Sequence, residues 1–321
     1  MGWSMGAAYD SYAEDMRALV VVNPEATATT SRAHDVLLSA LGHEVSLQTV
    51  RTTHRNHAAE VAATARAEGI ELVVAFGGDG TVNEIVNGLL GDSGHAMPDI
   101  AVIPGGSTNV LARNLGIPSD PIEATGLLLD ALRTGRRHPL SLGRVDDRFF
   151  TFAAGAGFNA DVVRVVEQQR ARGKRSSPAL YARALVSRYF LQPDHSGGPI
   201  TVRTDETEVD EITAAVVSNC TPWTYIGQRA IRPSPRASFT AGLDVMALTS
   251  MRVMPFVRHL VQTMRDSDRG VHGADVLQLH DCSTITLYSA VPVPVDVDGD
   301  YLGERTEVEF RSVPSAVHVA F

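Results

Sequence analysis

Lysine is almost missing from this chain. Lys174 is the one lysine among the 28 basic residues of a 321-residue sequence, so nearly all the positive charge is arginine. A Walker-type phosphate loop needs Gly-Lys followed by Ser or Thr, whereas Lys174 is followed by Arg175 with no glycine-rich loop before it. That argues against P-loop kinases, sites built on a strand lysine, and Schiff-base chemistry. Cysteine is scarce as well. Cys220 and Cys282 have neither CxxC nor metal-type spacing and read as buried, reduced thiols of a cytosolic protein. No apolar run approaches the ~18 residues that cross a bilayer. The formal charge of −9 argues against a nucleic-acid binder. The first residues, MGWSMGAAYDSYAEDMR, lack the basic region and apolar core of a secretory signal, and Gly6 stands where myristoylation needs Ser or Thr. Residues 1–16 therefore read as a loose tail. The whole chain is 44% hydrophobic, enough for a proper core, and its 321 residues suit one large domain or two.

The rest is organised around residues 71–90, ELVVAFGGDGTVNEIVNGLL. Glu71–Phe76 is a short apolar, β-branched run, the pattern of a buried strand. It stops at Gly77-Gly78-Asp79-Gly80-Thr81, after which Val82, Ile85, Val86, Leu89 and Leu90 recur at helical spacing. A strand, a glycine turn and a helix suit a phosphate, because glycines let backbone approach a ligand and helix N-terminal amides attract anions. An acid at the centre of that turn makes sense if it handles a metal or a proton at the phosphate. The plainer alternative is a tight turn with Asp79 as a helix cap.

A second unit of the same kind follows. Asp99–Ile103 reads as a strand, then Pro104-Gly105-Gly106-Ser107-Thr108-Asn109, then a helix through Val110–Arg113 to Gly116. Adjacent parallel strands would bring both glycine turns to one sheet edge, on either side of a polyphosphate. Upstream, Arg17–Asn23 is a strand broken by Asn23-Pro24, at the place where open α/β sheets bind ligands. Ser31–Leu41 is a helix, Val45–Val50 a strand followed by Thr52 and Thr53, 56–68 an alanine-rich helix and 121–134 another. His54 and His57 have no evident carboxylate ligand and read as surface histidines.

The motif GGDGTxNExxNGL resembles the signature of the diacylglycerol kinase catalytic-domain superfamily, and looks like its bacterial lipid-kinase branch. GGDGT is shared with NAD kinases, in which the Asn-Glu pair lies much further downstream. PGGSTNxxAR resembles the superfamily's P-x-G-T-x-N-D-x-A-R, with Ser107 at the place of its Thr and Val110 at the place of its Asp. The resemblance implies ATP held by the backbone of Gly77–Thr81 and Gly105–Asn109, with Asn23, Thr52, Thr53, Asn83 and Glu84 around the nucleotide. It also implies Mg²⁺ bridging phosphate oxygens and carboxylates.

From about residue 139 short alternating runs dominate: 140–145, 149–153, 200–203, 212–218, 243–249, 283–289, 293–297, 307–311 and 316–321, with helices near 160–170, 179–191 and 254–265. Residues 155–161 (GAGFNAD) and 219–236 read as loops by composition, and resemble stretches of the family's lipid-side domain. Between Arg164 and Arg188 seven basic residues face one acid, Glu167, beside an amphipathic helix. Such a stretch could dock on anionic lipid, or be a solvated face beside a core-packed helix. Residues 293–303, VPVDVDGDYLG, carry the hairpin signal Asp298-Gly299. The family has Asp-Gly-Glu here, so Asp300 stands for its catalytic Glu, one methylene shorter. The relatives' structural magnesium uses an Asp-rich loop before a Leu-Asp-Val strand, of which this chain keeps only Asp244.

The expectation is an α/β N-terminal domain with a mainly parallel three-layer sheet over 17–138, completed by about 306–321. A mainly-β sandwich over 139–305 would take the lipid. The reaction would be ATP-dependent phosphorylation of a lipid hydroxyl, diacylglycerol first, at a membrane surface. Asp79 and Asp300 are the candidates for base and metal contact, with Asp298 near the nucleotide and Asp244 for a second metal. The resemblance places the enzyme in the cytoplasm or at the inner membrane face, and is compatible with a homodimer. The alternatives are an NAD kinase-type phosphotransferase and a catalytically silent lipid- or nucleotide-binding regulator.

Overall fold

The computed structural model describes residues 16–26, 29–91, 94–173, 178–191 and 198–321. It divides into two compact units, Met1–Leu140 with Ser315–Phe321, and Ser141–Pro314.

In the first unit the order is β1 (Arg17–Val22), α1 (Ser31–Leu41), β2 (Ser46–Arg51), α2 (His57–Ala65), β3 (Leu72–Gly77), α3 (Asp79–Leu90), β4 (Asp99–Pro104), α4 (Val110–Asn114) and α5 (Pro121–Thr134). The strands run parallel in the order β4-β3-β1-β2, and the chain's last residues join beside β4 through Val319 and Ile100. β3 is buried along its whole length, which is why its apolar residues form an unbroken run; β2, at the edge, is half exposed. The step from β1 to β2 moves one way along the sheet, and the next two steps move back. Right-handed crossovers therefore put α1 on one face and α2 and α3 on the other. Accordingly α2 packs on α3, and α1 on α5. Gly88 is where the first pair touches: a Cβ there would come within 2.3 Å of the Ala59 carbonyl oxygen. The helix starts follow capping chemistry. The Thr30 hydroxyl accepts from the Ala33 amide, and the Asp120 carboxylate accepts from the amides of Ile122 and Glu123 ahead of Pro121.

The second unit contains the rest of β5 (His138–Val145), β6 (Arg148–Phe150), β7 (Ala153–Gly157), α6 (Phe158–Ala171), α7 (Pro178–Leu191), β8 (Ile200–Arg203), β9 (Glu208–Ile212), β10 (Ala214–Ser218), β11 (Thr224–Ile226), β12 (Arg229–Ile231), β13 (Leu243–Leu248), α8 (Val253–Thr263), β14 (Val276–Cys282), β15 (Thr284–Val297) and most of β16 (Asp300–Val319). Its antiparallel sheet runs β14-β13-β10-β7-β15-β16, with β8 alongside β15 and β9 outside β8. Phe150, Ile212, Val217, Leu243, Leu287, Val295 and Phe310 are among the buried residues of one core shared by these strands. Both expected fold classes, parallel α/β and β-rich, are present.

Several boundaries differ from the sequence reading. The run expected as one strand at 149–153 breaks at Thr151 and Phe152, and GAGFNAD is the end of β7 and the start of α6 rather than a loop. β7, Ala-Ala-Gly-Ala-Gly, is a central, fully buried strand made of small residues because its neighbours leave no room. A Cβ on Gly155 would lie 1.8 Å from Asn159 Nδ2, and one on Gly157 would lie 2.3 Å from the Thr213 carbonyl oxygen. Residues 219–236 contain the small hairpin β11–β12, turning at Gly227 with φ +61°. β15 and β16 are long strands where short ones were expected, bent by register shifts. Cys220 is buried and Cys282 only partly so, and burial and nearby carboxylates push the Cys282 thiol up to about 11, keeping it unreactive. Lys174 and Arg175 of the basic stretch, and residues 1–15 of the N-terminal tail, lie outside the described residues.

Candidate functional site

β3 and β4 are parallel neighbours in register, Gly77 opposite Pro104, so the two glycine turns leave the sheet side by side at its carboxyl edge. They touch backbone to backbone. The Gly105 amide donates to the Gly77 carbonyl at 2.7 Å, and a Cβ on Gly106 would lie 2.7 Å from Gly78 Cα. Gly77, Gly78, Gly105 and Gly106 thus have a packing reason to be glycine. Gly80 has none: a Cβ there would meet nothing within 4 Å, and α3 starts without a side-chain cap.

Polar residues of the motif brace these turns. Asp79 turns one carboxylate oxygen to the Val110 amide (2.9 Å) and the other to the Leu111 amide (3.1 Å), capping α4 across the gap between the turns. Glu84 does the same for α2, accepting from the amides of Asn56 (2.9 Å) and Ala58 (3.2 Å). Asn83 is buried within α3 and accepts from Asn87. Asn23 follows β1, its amide donating to the Phe76 carbonyl, its side chain donating to the buried Thr81 hydroxyl at 3.2 Å. Asn109, left-handed at φ +49°, closes the second turn through both ends of its amide to Gly106, leaving Ser107 exposed and Thr108 half-buried at its crest. Thr52 follows β2 at the same edge, its amide on the Val22 carbonyl, and Thr53 hydrogen-bonds His57. His54 and His57 stack on one another at the surface, with His54 paired to Glu60.

The second unit carries the other carboxylates. Asp298 and Gly299 both have positive φ (+47° and +80°) and make the two-residue turn between β15 and β16. The half-buried Asp298 carboxylate is a staple, accepting from Thr151 N (2.7 Å), Thr151 Oγ1 (2.8 Å), Phe152 N (3.0 Å) and Ala153 N (3.1 Å). Burial pushes its proton affinity up and these donors pull against that. Asp300, half-buried at the start of β16, pairs with Arg148 Nη2 at 2.8 Å. Asp244 is buried and accepts from His280 Nδ1 (2.7 Å) and the Asp281 amide (3.1 Å), with burial raising its pKa. Among the described residues no group of three or more His, Cys, Asp or Glu side chains is placed to hold a metal ion.

One acid of this region escapes sequence reasoning. Asp296 is buried beneath α6, where Asn159 Nδ2 lies 3.3 Å away over Gly155. Burial, and then the charges of Asp298 and Asp300, push it up to about 7. The alternation of Asp296, Asp298 and Asp300 was visible in the sequence and is the signal that could have found it.

Residues 17–145 match the family model described as the diacylglycerol kinase catalytic domain. A diacylglycerol kinase of Bacillus subtilis is 36% identical over 145 residues, 44% of this chain and 46% of that protein. A protein of Chromohalobacter salexigens named "Probable lipid kinase YegS-like" is 37% identical over 121 residues, 38% of this chain and 37% of the relative. The chain thus spans about half or less of the length of these curated relatives. In fold it is similar to a crystal structure of a diacylglycerol kinase from Bacillus anthracis, with a TM-score of 0.69 at 19% identity over 95% of this chain and 96% of that one. The family match covers both glycine turns and ends before the acidic hairpin.

Proposed function

Taking residues 17–145 as a diacylglycerol kinase catalytic domain, we propose that the chain transfers the γ-phosphoryl group of ATP to a lipid hydroxyl, with diacylglycerol as acceptor and phosphatidic acid as product. The observation that carries this reading is the pair of glycine turns in contact at the carboxyl edge of parallel strands. The turn Gly77–Thr81 ends in a helix start with no side-chain cap and with open space beside Gly80, which fits an anionic phosphate.

In the transfer the acceptor oxygen bonds to the γ-phosphorus, the bond from that phosphorus to the β–γ bridging oxygen breaks, and ADP leaves. We assign the proton of the acceptor hydroxyl to Asp300, held in place by Arg148. Asp79 braces the turns. Asp79 stands at the start of α3 beside the open space at Gly80, and would lie next to a phosphate-bound cation. Mg²⁺, when bound, supplies charge neutralisation at the phosphate oxygens. Asp298 positions the hairpin on which Asp300 sits. Thr52 and Thr53 extend the row of turn residues along the sheet edge, toward the nucleotide.

The test is γ-labelled ATP with a panel of diacylglycerol, sphingosine, other glycerolipids and NAD. Label in phosphatidic acid is expected. Label in another lipid keeps the reaction and changes the acceptor, an outcome that the general name of the Chromohalobacter relative, a probable lipid kinase, leaves open. Label in NADP alone, or ATP binding with no acceptor labelled, overturns the proposal.

A further inference from the structure

α8 faces the wrong way for a core helix. His259, Gln262 and Thr263 are buried at 3, 8 and 7% exposure, whereas Val253, Met254, Val257, Leu260 and Val261 stand 56, 79, 50, 37 and 46% exposed. A buried polar group and an exposed apolar stripe are the two departures from the burial rule that carry information, and here one helix shows both.

The orientation is held by specific contacts. Gln262 Oε1 accepts from the His272 amide and Gln262 Nε2 donates to the His272 carbonyl, at 3.2 and 3.3 Å. The Thr263 carbonyl accepts from the Arg232 amide at 2.7 Å, and His259 Nε2 lies 3.4 Å from the Asp275 carboxylate. Phe256 turns inward, stacked on Tyr189 with ring centroids 5.5 Å apart and edge-on to Phe158 at 6.2 Å. Rolling α8 over to bury its apolar stripe would break all of these.

Tyr189 also ties the end of α7 to the start of α8, its hydroxyl donating to the Met251 carbonyl at 2.8 Å. The residues that follow it on α7, Phe190 and Leu191, are 80 and 66% exposed, and Phe190 lies edge-on to Tyr189 at 5.7 Å. Two exposed apolar ends therefore adjoin through one stacked pair.

Charge decides what covers them. Residues 252–265 hold three arginines and no acid in a chain of net charge −9. Arg252, Arg258 and Arg265 are exposed, Arg258 while also 3.7 Å from Asp275, and the first two line an open groove of about 1010 Å³ beside the helix, together with Glu211 and Asp275. A second copy of the chain suits this face poorly. An 11-residue helix about 16 Å long and ~10 Å wide presents a face on the order of 160 Å², a small part of the ~800 Å² that each partner of a stable interface buries. A two-fold pairing would also bring the same arginines together from both copies.

We propose that α8, with the adjoining end of α7, is the surface by which the second unit docks on an anionic bilayer. The apolar stripe enters the headgroup–acyl boundary and Arg252, Arg258 and Arg265 meet lipid phosphates. The inference rests on the lipid-acceptor reading, because an acceptor dissolved in a bilayer has to be met at its surface.

Flotation of the full chain with phosphatidylcholine vesicles, with and without phosphatidylglycerol, tests it in the absence of ATP. The native chain floats with the anionic vesicles. Met254→Ser with Val257→Ser weakens binding on the order of tenfold or more. Arg252→Gln with Arg265→Gln weakens it roughly fivefold per arginine and removes the preference for anionic lipid. The fluorescence of Met254→Trp shifts to the blue when vesicles are added. These side chains are exposed, so unchanged melting temperatures check that the variants fold. No flotation of the native chain, equal flotation of the Ser variant, or no blue shift overturns the proposal. So does a native dimer that becomes monomeric in the Ser variant without lipid, because the face would then be a self-interface. Turnover on a short-chain acceptor free in solution separates the two readings. The docking variants keep it, and its absence in the native chain alongside normal flotation would count against the kinase and leave the docking surface standing.

Discussion

The turns of the first unit and the hairpin of the second both place carboxylates in tight bends, and treat them in opposite ways. In the turns, the acids are bound to backbone. Asp79 caps α4 and Glu84 caps α2, so that one helix, α3, completes the N-termini of two others. In the hairpin three acids stand at 296, 298 and 300. Asp298 accepts from Thr151, Phe152 and Ala153, Asp300 pairs with Arg148, and Asp296 lies beside the Asn159 amide in a buried site. The acids of α3 are therefore committed to backbone amides, whereas the hairpin contains one group, Asp296, that burial pushes up to about 7. The lesson is that a motif acid is not chemical merely because it lies in a motif, and that crowding in a buried strand end can matter more.

Substitutions at these acids test the contrast directly. The largest effect is expected at Asp300→Asn, which removes the assigned proton acceptor. Its kcat should fall by ~10²–10⁴-fold with ATP binding retained, and turnover near the native value would remove Asp300 from the mechanism. Asp79→Asn should lower kcat by ~10²-fold or more, and unlike the first variant it should also lose about 1–3 kcal/mol of stability in denaturant titration, because the amide accepts through one oxygen where the carboxylate used two.

Asp296 provides a pH signature. Its pKa rises from 3.8 to about 7 on folding, so the folded chain keeps a proton that the unfolded chain releases. The contribution of Asp296 to stability is therefore full below about pH 4 and falls as the pH climbs to about 7, by on the order of a few kcal/mol. Asp296→Asn should flatten that slope and melt above the native chain at pH 8; a parallel slope in thermal melts would show that another group is responsible. The smallest effect is at Glu84→Ala. Losing the cap on α2 should cost about 1 kcal/mol with kcat for ATP unchanged, and a large fall in kcat would move Glu84 from scaffold to chemistry.

The alternation and apolar runs of β1, β3 and β4 were legible because parallel strands buried on both faces are written as continuous hydrophobic stretches. The Asp298-Gly299 turn was legible because few other residue pairs accept positive φ at two successive positions. β7 was not, since close-packed neighbours select glycine and alanine, the residues that composition assigns to loops. The partners of Asp79 lie 31 and 32 residues away, those of Glu84 up to 28, and Asn159 is 137 residues from Asp296. No local pattern announces contacts of that range.

Local pattern was enough to set the order of strands and helices in the first unit, the positions of its glycine turns and the lack of a lysine-based phosphate-loop motif. Those are properties of neighbours along the chain, set by side-chain volume, β-branching and the φ each residue tolerates. Only the tertiary structure decided which acids cap helices and which stay protonatable, and which side of α8 meets solvent. Hydrogen-bond partners and desolvation come from residues far away in sequence, and in α8 those distant partners turn an ordinary amphipathic pattern outward.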